Sequence, residues 1–227
     1  MKPTQNFFIP PTNARLFISV FLIALFSFVP LKRPETGDHA IVKARLIVIT
    51  PGGNQESSTQ LFLTPLHVKL VSESNVLRSW LFYDSLKKQV TVLTQTLGRS
   101  LGYRMPFKPN YADQGISVNY IDSAKTIANI EVRKAIITDS AHEQNEVEVW
   151  YAPRLNFANQ TLGINLKGFH LVKGLPMQFS TRIQGITLQY TVESLDLTTA
   201  VADSEFDIPP GFDISDSYDD YMKKMTK

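Results

Sequence analysis

The chain of 227 residues contains no cysteine. This absence excludes thiolate zinc sites, iron–sulfur clusters, thiol nucleophiles, disulfide frameworks and a lipid anchor on an N-terminal cysteine. A large charge of one sign is also missing, because 23 Lys and Arg residues stand against 21 Asp and Glu residues, for a formal net charge of +2. So balanced a charge gives no support for nucleic acid as a partner. The length suits one domain of ordinary size or a pair of small ones, and it is sufficient for a substantial core.

Motifs for cofactors and metals are absent or incomplete. The chain has no Gly-x-Gly-x-x-Gly loop and no Walker-type P-loop, the two glycine-rich patterns that cradle phosphates. Residues 142–146, His-Glu-Gln-Asn-Glu, resemble a zinc-binding His-Glu-x-x-His helix but end in Glu and lie in a polar loop, where residues i and i+4 share no face. We therefore expect no cofactor and no metal site.

An apolar segment near the N-terminus predicts export. Residues 16–29 carry two serines and no charge, and only Lys2 and Arg15 precede them as charged residues. Fourteen residues are short for a membrane span but normal for a secretory signal. Residues 1–30 are therefore predicted to be a signal peptide or an uncleaved N-terminal anchor, with membrane contact through residues 16–29 in the second case. Removing them leaves 21 basic against 21 acidic residues, so the remaining domain is neutral.

Hydrophobic alternation with a period of two dominates residues 40–212 and predicts β-strands. The predicted strands cover residues 40–50, 59–71, 78–83, 89–94, 131–138, 147–151, 177–183 and 186–197. Short turns join them and no long helix intervenes, so the sheet should be antiparallel. Residues 102–115 are predicted to be a long irregular loop and residues 120–129 a short helical turn. Residues 213–227 are predicted to be an acidic polar tail outside the β-domain.

One pentapeptide matches a catalytic motif. Residues 98–102, Gly-Arg-Ser-Leu-Gly, satisfy the Gly-x-Ser-x-Gly turn that presents a nucleophilic serine between a strand and a helix. Ser100 would be the nucleophile of such a hydrolase, with Asp139 and His170 as nominal partners. The sequence after Ser100 contains Pro106 and Pro109 and favours a loop over the required helix, so an enzymatic role is not expected.

Four short stretches resemble a known group of exported proteins. Residues 120–135 contain a Lys-Thr-Ile that leads to a strand ending in Lys-Ala, and residues 147–152 read Val-Glu-Val-Trp-Tyr-Ala. Residues 173–177 carry a Gly-Leu-Pro turn, and residues 205–212 end in Ile-Pro-Pro-Gly-Phe. Together they are similar to the GLPGLI-type exported proteins of Bacteroidetes-like bacteria, and more remotely to the LolA/LolB-type half-barrels that carry lipoproteins. Val132 and Asn129 depart from the group's usual cysteine and glycine.

The resemblance implies a mainly β fold, a curved antiparallel half-barrel with few short helices, whose concave face can hold an apolar ligand. The expected function is non-enzymatic binding of a lipid or a lipoprotein acyl chain in the periplasm or cell envelope. The alternatives are a structural or assembly module that binds an envelope protein partner through a sheet edge, and the hydrolase that uses Ser100. The inward-facing positions expected to contact the ligand are Leu46, Val48, Leu61, Leu63, Trp80, Phe82, Val90, Val92, Val149 and Phe179, with Val147 and Ile183 as further candidates.

Overall fold

The computed structural model describes residues 39–107, 115–140, 146–157, 166–183 and 185–226. The predicted signal or anchor, residues 1–30, and residues 142–145 of the His-Glu motif lie outside these ranges. Within the described part of the chain, no helix is both long enough and apolar enough to cross a membrane.

The described residues form twelve strands of one sheet. Their bounds are β1 (Ala40–Thr50), β2 (Gly53–Leu63), β3 (His67–Glu73), β4 (Arg78–Asp84), β5 (Gln89–Thr96), β6 (Arg99–Pro106), β7 (Ile116–Ile127), β8 (Ile130–Asp139), β9 (Glu146–Ala152), β10 (Leu175–Ile183), β11 (Ile186–Asp196) and β12 (Asp213–Ser215). Two 3₁₀ turns (Phe169–Leu171 and Asp203–Phe206) and the helix α1 (Tyr218–Met225) complete the described elements.

The strand order shows two antiparallel meanders joined in the middle of the sheet. The order is β12-β6-β5-β4-β3-β2-β1-β11-β10-β9-β8-β7. The first meander runs from β1 to β6 and the second from β7 to β11, and β1 pairs with β11 between them. Among the described strands, only β12 pairs in parallel, and its neighbour is β6. The predicted mainly β, antiparallel half-barrel is confirmed: the sheet is open and curved.

The segment predicted to be a helical turn, residues 120–129, is the end of β7 and a tight hairpin turn. Ala128 and Asn129 both have positive φ angles, 49° and 62°, as a two-residue type I′ turn requires. The helical prediction was wrong because the Ser-Ala-Lys composition of residues 123–125 favours a helix locally, whereas pairing with β8 decides the conformation.

The predicted loop at residues 102–115 is also corrected, since its first five residues belong to β6. A Cβ at residue 102 would lie 2.5 Å from Leu93 Cδ2 and 2.9 Å from the Val92 carbonyl oxygen. The packing therefore requires glycine at this position. The sequence prediction placed this glycine at the start of a loop, whereas in the structure it allows close packing within a strand.

The C-terminal residues pack on the sheet and do not form a separate tail. Asp213–Ser215 pairs with β6, and α1 follows with Ser217 as its N-cap, whose hydroxyl accepts from the Asp220 amide. Tyr221 of α1 is buried against the ring of Tyr103, with 4.9 Å between ring centroids. The boundary predicted after Phe212 therefore falls within the sheet domain. The strand was not predicted, because β12 has only three residues and lies in an acidic segment.

The two faces of the sheet carry separate apolar clusters. The larger cluster holds inward residues of β1 to β5 and β8 to β11, together with Leu155, Phe157, Phe169 and Val172 from the connection between β9 and β10. The smaller cluster, on the other face, consists of Trp80, Phe82 and Leu93 covered by Ile208, Phe212 and Ile214 of the C-terminal segment.

Candidate functional site

An apolar cavity lies on the face that carries the larger cluster. Its volume is about 110 Å³. Its lining comes from five adjacent strands and one residue of the β9–β10 connection: Leu46, Thr59, Leu61, Leu70, Ser72, Leu166, Phe179, Leu188 and Tyr190. Leu70 of β3 and Phe179 of β10 line the same small cavity although β2, β1 and β11 lie between their strands. The sheet must therefore curve around this face, which we call the concave face.

Alternation along the strands explains why these side chains meet. Leu46 of β1 lies opposite Ser57 of β2 and Tyr190 of β11, so the three side chains point to one face. Leu61 pairs with Leu70 in the same way, and Tyr190 pairs with Phe179. The cavity therefore lies over the junction of the two meanders.

Stacked aromatic rings close one side of the cavity. The rings of Phe179 and Tyr190 are nearly parallel, with 5.0 Å between their centroids, and Phe169 meets Phe179 edge-on at 4.7 Å. Such pairs add about 0.5–1.5 kcal/mol each beyond the burial of their area. Burial raises the pKa of Tyr190 far above its usual value, so its hydroxyl stays protonated and neutral. This wall is therefore uncharged.

Besides the phenol of Tyr190, two hydroxyl side chains interrupt the otherwise apolar lining. Thr59 and Ser72 are direct partners across β2 and β3. Thr59 is 4% exposed, and its Oγ1 has no hydrogen-bond partner among the described residues. The described residues that line the cavity include no charged side chain. The site can therefore hold an uncharged apolar group.

Eight of the ten predicted ligand-contact residues point to the concave face, and three of those line the cavity. The three are Leu46, Leu61 and Phe179. Leu63, Val90 and Val149 are buried in the larger cluster, Val92 packs against it, and Val48 is half-buried near the end of β1. Val147, on the strand of Val149, also packs on this cluster. The side chain of Ile183 lies outside the description.

Trp80 and Phe82 are corrected, because they point to the opposite, convex face. The register pairs Leu81 with Val92 and Trp80 with Leu93, which places Leu81 on the concave face and its neighbours on the other. There Trp80 meets the ring of Phe212 edge-on, with 5.4 Å between centroids. The assignment failed because β4 reads Trp-Leu-Phe-Tyr, an unbroken apolar run that shows no alternation.

Six lining residues were missed by the sequence prediction. Leu188 and Tyr190 alternate with polar neighbours on β11, so the pattern that identified Leu61 could have identified them. Leu70 lies between Lys69 and Val71 on β3, where the alternation is broken. Thr59 and Ser72 are polar, and Leu166 lies in a connection, so no periodic signal marks them. These six are Thr59, Leu70, Ser72, Leu166, Leu188 and Tyr190.

The geometry around Ser100 does not match a hydrolase. Gly98 is in the turn of the β5–β6 hairpin, and Ser100 is the second residue of β6, a strand that runs on to Pro106 where the motif requires a helix. The hydroxyl of Ser100 accepts from Gln95 Nε2 at 3.3 Å. Asp139 lies on β8, separated from β6 by eight strands, and pairs with Lys167 at 2.8 Å. The nominal triad is therefore not assembled around Ser100.

A second, more polar cleft of about 270 Å³ lies on the convex face between β3 to β5 and residues 203–208. Its Asp84 carboxylate already accepts from the amides of Leu86 and Lys87 and pairs with Lys87 Nζ at 2.9 Å. These contacts lower the pKa of Asp84, and the hydrogen bond from the Lys87 amide has the largest effect. Across the described residues, no group of three or more acidic or His side chains is placed to hold a metal ion.

Comparison with known proteins finds no family model and no curated protein that matches the sequence. The resemblance to GLPGLI-type proteins is therefore not confirmed by a sequence match. Among solved structures, PNGF-II is similar at 13% identity and a TM-score of 0.49 over 83% of this chain. This chain spans about a third of the length of PNGF-II, 33%.

Two smaller structures are similar over most of their own length. A DUF1329 family protein from Desulfovibrio piger shares 10% identity, with a TM-score of 0.40, over 88% of this chain and 98% of that one. A domain from Vibrio parahaemolyticus, assigned provisionally to outer membrane lipoprotein sorting, shares 9% identity with a TM-score of 0.35, over 85% of this chain and 95% of that one. Likenesses of this size carry no activity or ligand across to this chain.

Proposed function

We propose that this protein is an exported, non-enzymatic protein of the cell envelope that binds an apolar ligand, such as part of a lipid acyl chain, in the cavity of its concave face. The observation that carries this proposal is the unfilled apolar cavity over the junction of the two meanders. The apolar residues 16–29 support export, since they have the length and charge pattern of a secretory signal.

The volume of the cavity limits the part of the ligand that it can take. A methylene group needs about the space of a water molecule in the liquid, roughly 30 Å³, so 110 Å³ accommodates about four carbon atoms. Burial contributes about 0.8 kcal/mol per methylene group, or roughly 3 kcal/mol in all. That is about a hundredfold in Kd. The cavity therefore suits a chain end or a branched group, with the rest of the ligand outside it.

The rest of the described concave face is filled by the protein itself. Leu155, Phe157, Phe169 and Val172 of the β9–β10 connection are all buried in the larger cluster. These side chains occupy positions that an open trough would leave to a ligand. The proposed mechanism is therefore shallow, reversible capture of one apolar group.

The test fills the cavity and measures binding of a neutral acyl ester. Isothermal titration calorimetry of the delipidated protein with monolauroylglycerol, below its micelle concentration, should show binding. Leu188→Trp should weaken that binding by about a hundredfold, because the indole takes the space of the roughly four carbon atoms. The matched control is Leu77→Trp, which places the same residue at a 40% exposed leucine before β4 and should leave Kd unchanged. Equal affinities in both variants, or no binding to the unmodified chain, would contradict the proposal.

A specific observation favours the alternative of an interaction module. β7 is an edge strand of 12 residues that pairs only with β8 among the described strands. The other edge, β12, has three residues and is packed against α1. A long edge can accept a strand from another protein. Protection of β7 amides from hydrogen exchange by a candidate partner would support this alternative, and unchanged exchange would count against it.

A further inference from the structure

We infer that one end of the sheet, formed by two hairpin turns and the end of β6, is a contact surface for a lipid bilayer. It lies outside the cavity, so the inference goes beyond the proposed ligand binding and shares with it only the location in the cell envelope. We call this surface the apolar rim. Its members, all exposed, are Pro65, Leu66, Leu86, Met105 and Pro106.

The strand register places the members of the apolar rim side by side. Successive register partners along this end of β3, β4, β5 and β6 are His67, Asp84, Gln89 and Pro106. Two backbone hydrogen bonds join the turns laterally. The Ser85 amide donates to the Leu66 carbonyl at 2.9 Å, and the Phe107 amide donates to the Lys88 carbonyl at 2.7 Å. The rim is therefore one continuous surface.

The two turns do not need their leucines in order to form. Thr64 closes the first turn, because its Oγ1 accepts from the His67 amide at 2.9 Å. Asp84 closes the second, because its Oδ1 accepts two amides of the turn, each at 3.0 Å. Leu66 and Leu86 are 45% and 74% exposed, and neither belongs to the apolar clusters of the sheet. Neighbouring exposed apolar side chains without a role in the fold mark an interaction surface.

The path of the chain favours a bilayer as the occupant. Ala40 begins β1 and pairs with Leu63, the residue before the first turn, so the sheet is entered at the end that carries the apolar rim. Residues 30–39 are the ten residues between the apolar residues 16–29 and β1, and they span at most about 35 Å. An anchor formed by residues 16–29 would keep the rim within that distance of the bilayer.

The sequence supports retention of this anchor. Residues 27–39 contain no pair of small residues with the Ala-x-Ala spacing of a signal peptidase site. The same tether disfavours the opposite end of the sheet, where Val76, Leu77 and Leu97 are also exposed. That end lies a further 35 Å or so along β1, a strand of 11 residues, and it would meet the bilayer only with residues 30–39 almost fully extended.

Electrostatic attraction contributes little to the proposed contact. Lys87 and Lys88 follow Leu86, and lysine side chains can extend to lipid phosphates. However, Lys87 pairs with Asp84 at 2.9 Å, and Asp203 and Asp207 line the adjoining convex cleft. Because these carboxylates offset the lysines, the contact depends on burial of apolar side chains and does not require anionic lipid.

The experiment uses the full chain in phosphatidylcholine vesicles and takes advantage of its lack of cysteine. Met105→Cys carries an NBD fluorophore on the apolar rim, and Asn75→Cys carries it in a turn at the opposite end. Both positions are exposed, so neither label disturbs the core. Doxyl-labelled lipid quenches NBD only at short range. It should quench the Met105→Cys label at least about threefold more strongly, because the other label lies about 35 Å farther from the bilayer.

Replacing the leucines tests their role directly. Leu66→Ser combined with Leu86→Ser should lower quenching of the Met105→Cys label to that of the Asn75→Cys label. The matched control combines Val76→Ser with Leu97→Ser, which removes exposed apolar side chains from the opposite end and should leave quenching at the rim unchanged. Substituting phosphatidylglycerol for part of the phosphatidylcholine should change quenching less than about twofold, since the charges near the rim are balanced.

Several results would overturn the inference: equal quenching of the two labels, stronger quenching of the Asn75→Cys label, or no effect of the leucine replacements. A Met105→Cys label that escapes doxyl lipid but is quenched by the label of a second copy would assign the rim to self-association and would also overturn it. None of these results affects ligand binding in the cavity, which calorimetry measures separately.

Discussion

Replacing Phe179 by alanine tests the aromatic wall of the cavity. Phe179 is 5% exposed and contacts the rings of Phe169 and Tyr190, at centroid distances of 4.7 Å and 5.0 Å. Loss of the ring removes these contacts and opens the cavity toward the β9–β10 connection. The variant should therefore be less stable and should accept a larger ligand.

The magnitude follows from two contributions. Burial of a phenylalanine side chain contributes about 2 kcal/mol. Enlarging the cavity by on the order of 80 Å³, at about 24 cal/mol per Å³, costs roughly 2 kcal/mol more. The free energy of unfolding should thus fall by about 4 kcal/mol, within the range known for such substitutions. With a urea m-value of about 2 kcal/mol/M, the midpoint should fall by roughly 2 M.

The assay is urea denaturation with and without saturating 1-pentanol or the bulkier 1-heptanol. In Phe179→Ala, 1-heptanol should raise the midpoint more than it does in the unmodified chain, since a ligand stabilises the state that binds it. Phe62→Ala is the control, because Phe62 is buried at 7% exposure on the convex face, under the Lys69 ammonium. It should lose stability without changing the response to alcohol. A loss below about 1 kcal/mol in Phe179→Ala, or an identical alcohol response in both variants, would refute the reasoning.

Three further predictions concern stability. Thr59→Val should raise the free energy of unfolding of the ligand-free protein by about 1 kcal/mol in urea denaturation, because it removes a buried hydroxyl that has no partner among the described residues. A free energy of unfolding below that of the unmodified chain would show that the hydroxyl is satisfied. Gly102→Ala should lower the free energy of unfolding by about 1–3 kcal/mol, because its Cβ would lie 2.5 Å from Leu93 Cδ2. The control is Gly52→Ala, whose Cβ would meet its nearest atom at 3.7 Å and which should leave thermal unfolding nearly unchanged. Hydrogen bonds from Thr199 and Thr198 hold the pKa of Asp196 well below its usual value, so its stabilising effect should be full above about pH 4 and fall as the pH drops toward the folded pKa. Asp196→Asn should flatten this acid dependence, and a carboxyl NMR titration with an ordinary pKa would contradict the assignment.

Much of the strand pattern was accessible from the sequence because alternation and turn chemistry agree. β1 matches the predicted residues 40–50, and β10 ends at Ile183 and β11 begins at Ile186, as predicted. In these places the side-chain period and the turn residues select the same register. The failures occur where local composition opposes pairing, as in residues 123–125, or where a glycine serves packing, as at Gly102.

The candidate site was predictable only in part. Leu46, Leu61 and Phe179 follow from alternation on single strands. Thr59 and Ser72 could not be recognised, because alternation marks apolar positions and both residues are polar. Trp80 and Phe82 were assigned to the wrong face because nothing in an unbroken apolar run distinguishes its two sides.

The most direct test of the central claim is a measurement of intermolecular NOEs between a bound alcohol and the leucine methyl groups of the full chain. The account predicts NOEs from 1-pentanol to Leu46, Leu61 and Leu188, which line the cavity, and none to Leu86, which is 74% exposed outside it. NOEs only to exposed leucines, or none at all at saturating 1-pentanol, would contradict the claim that the concave face binds an apolar ligand.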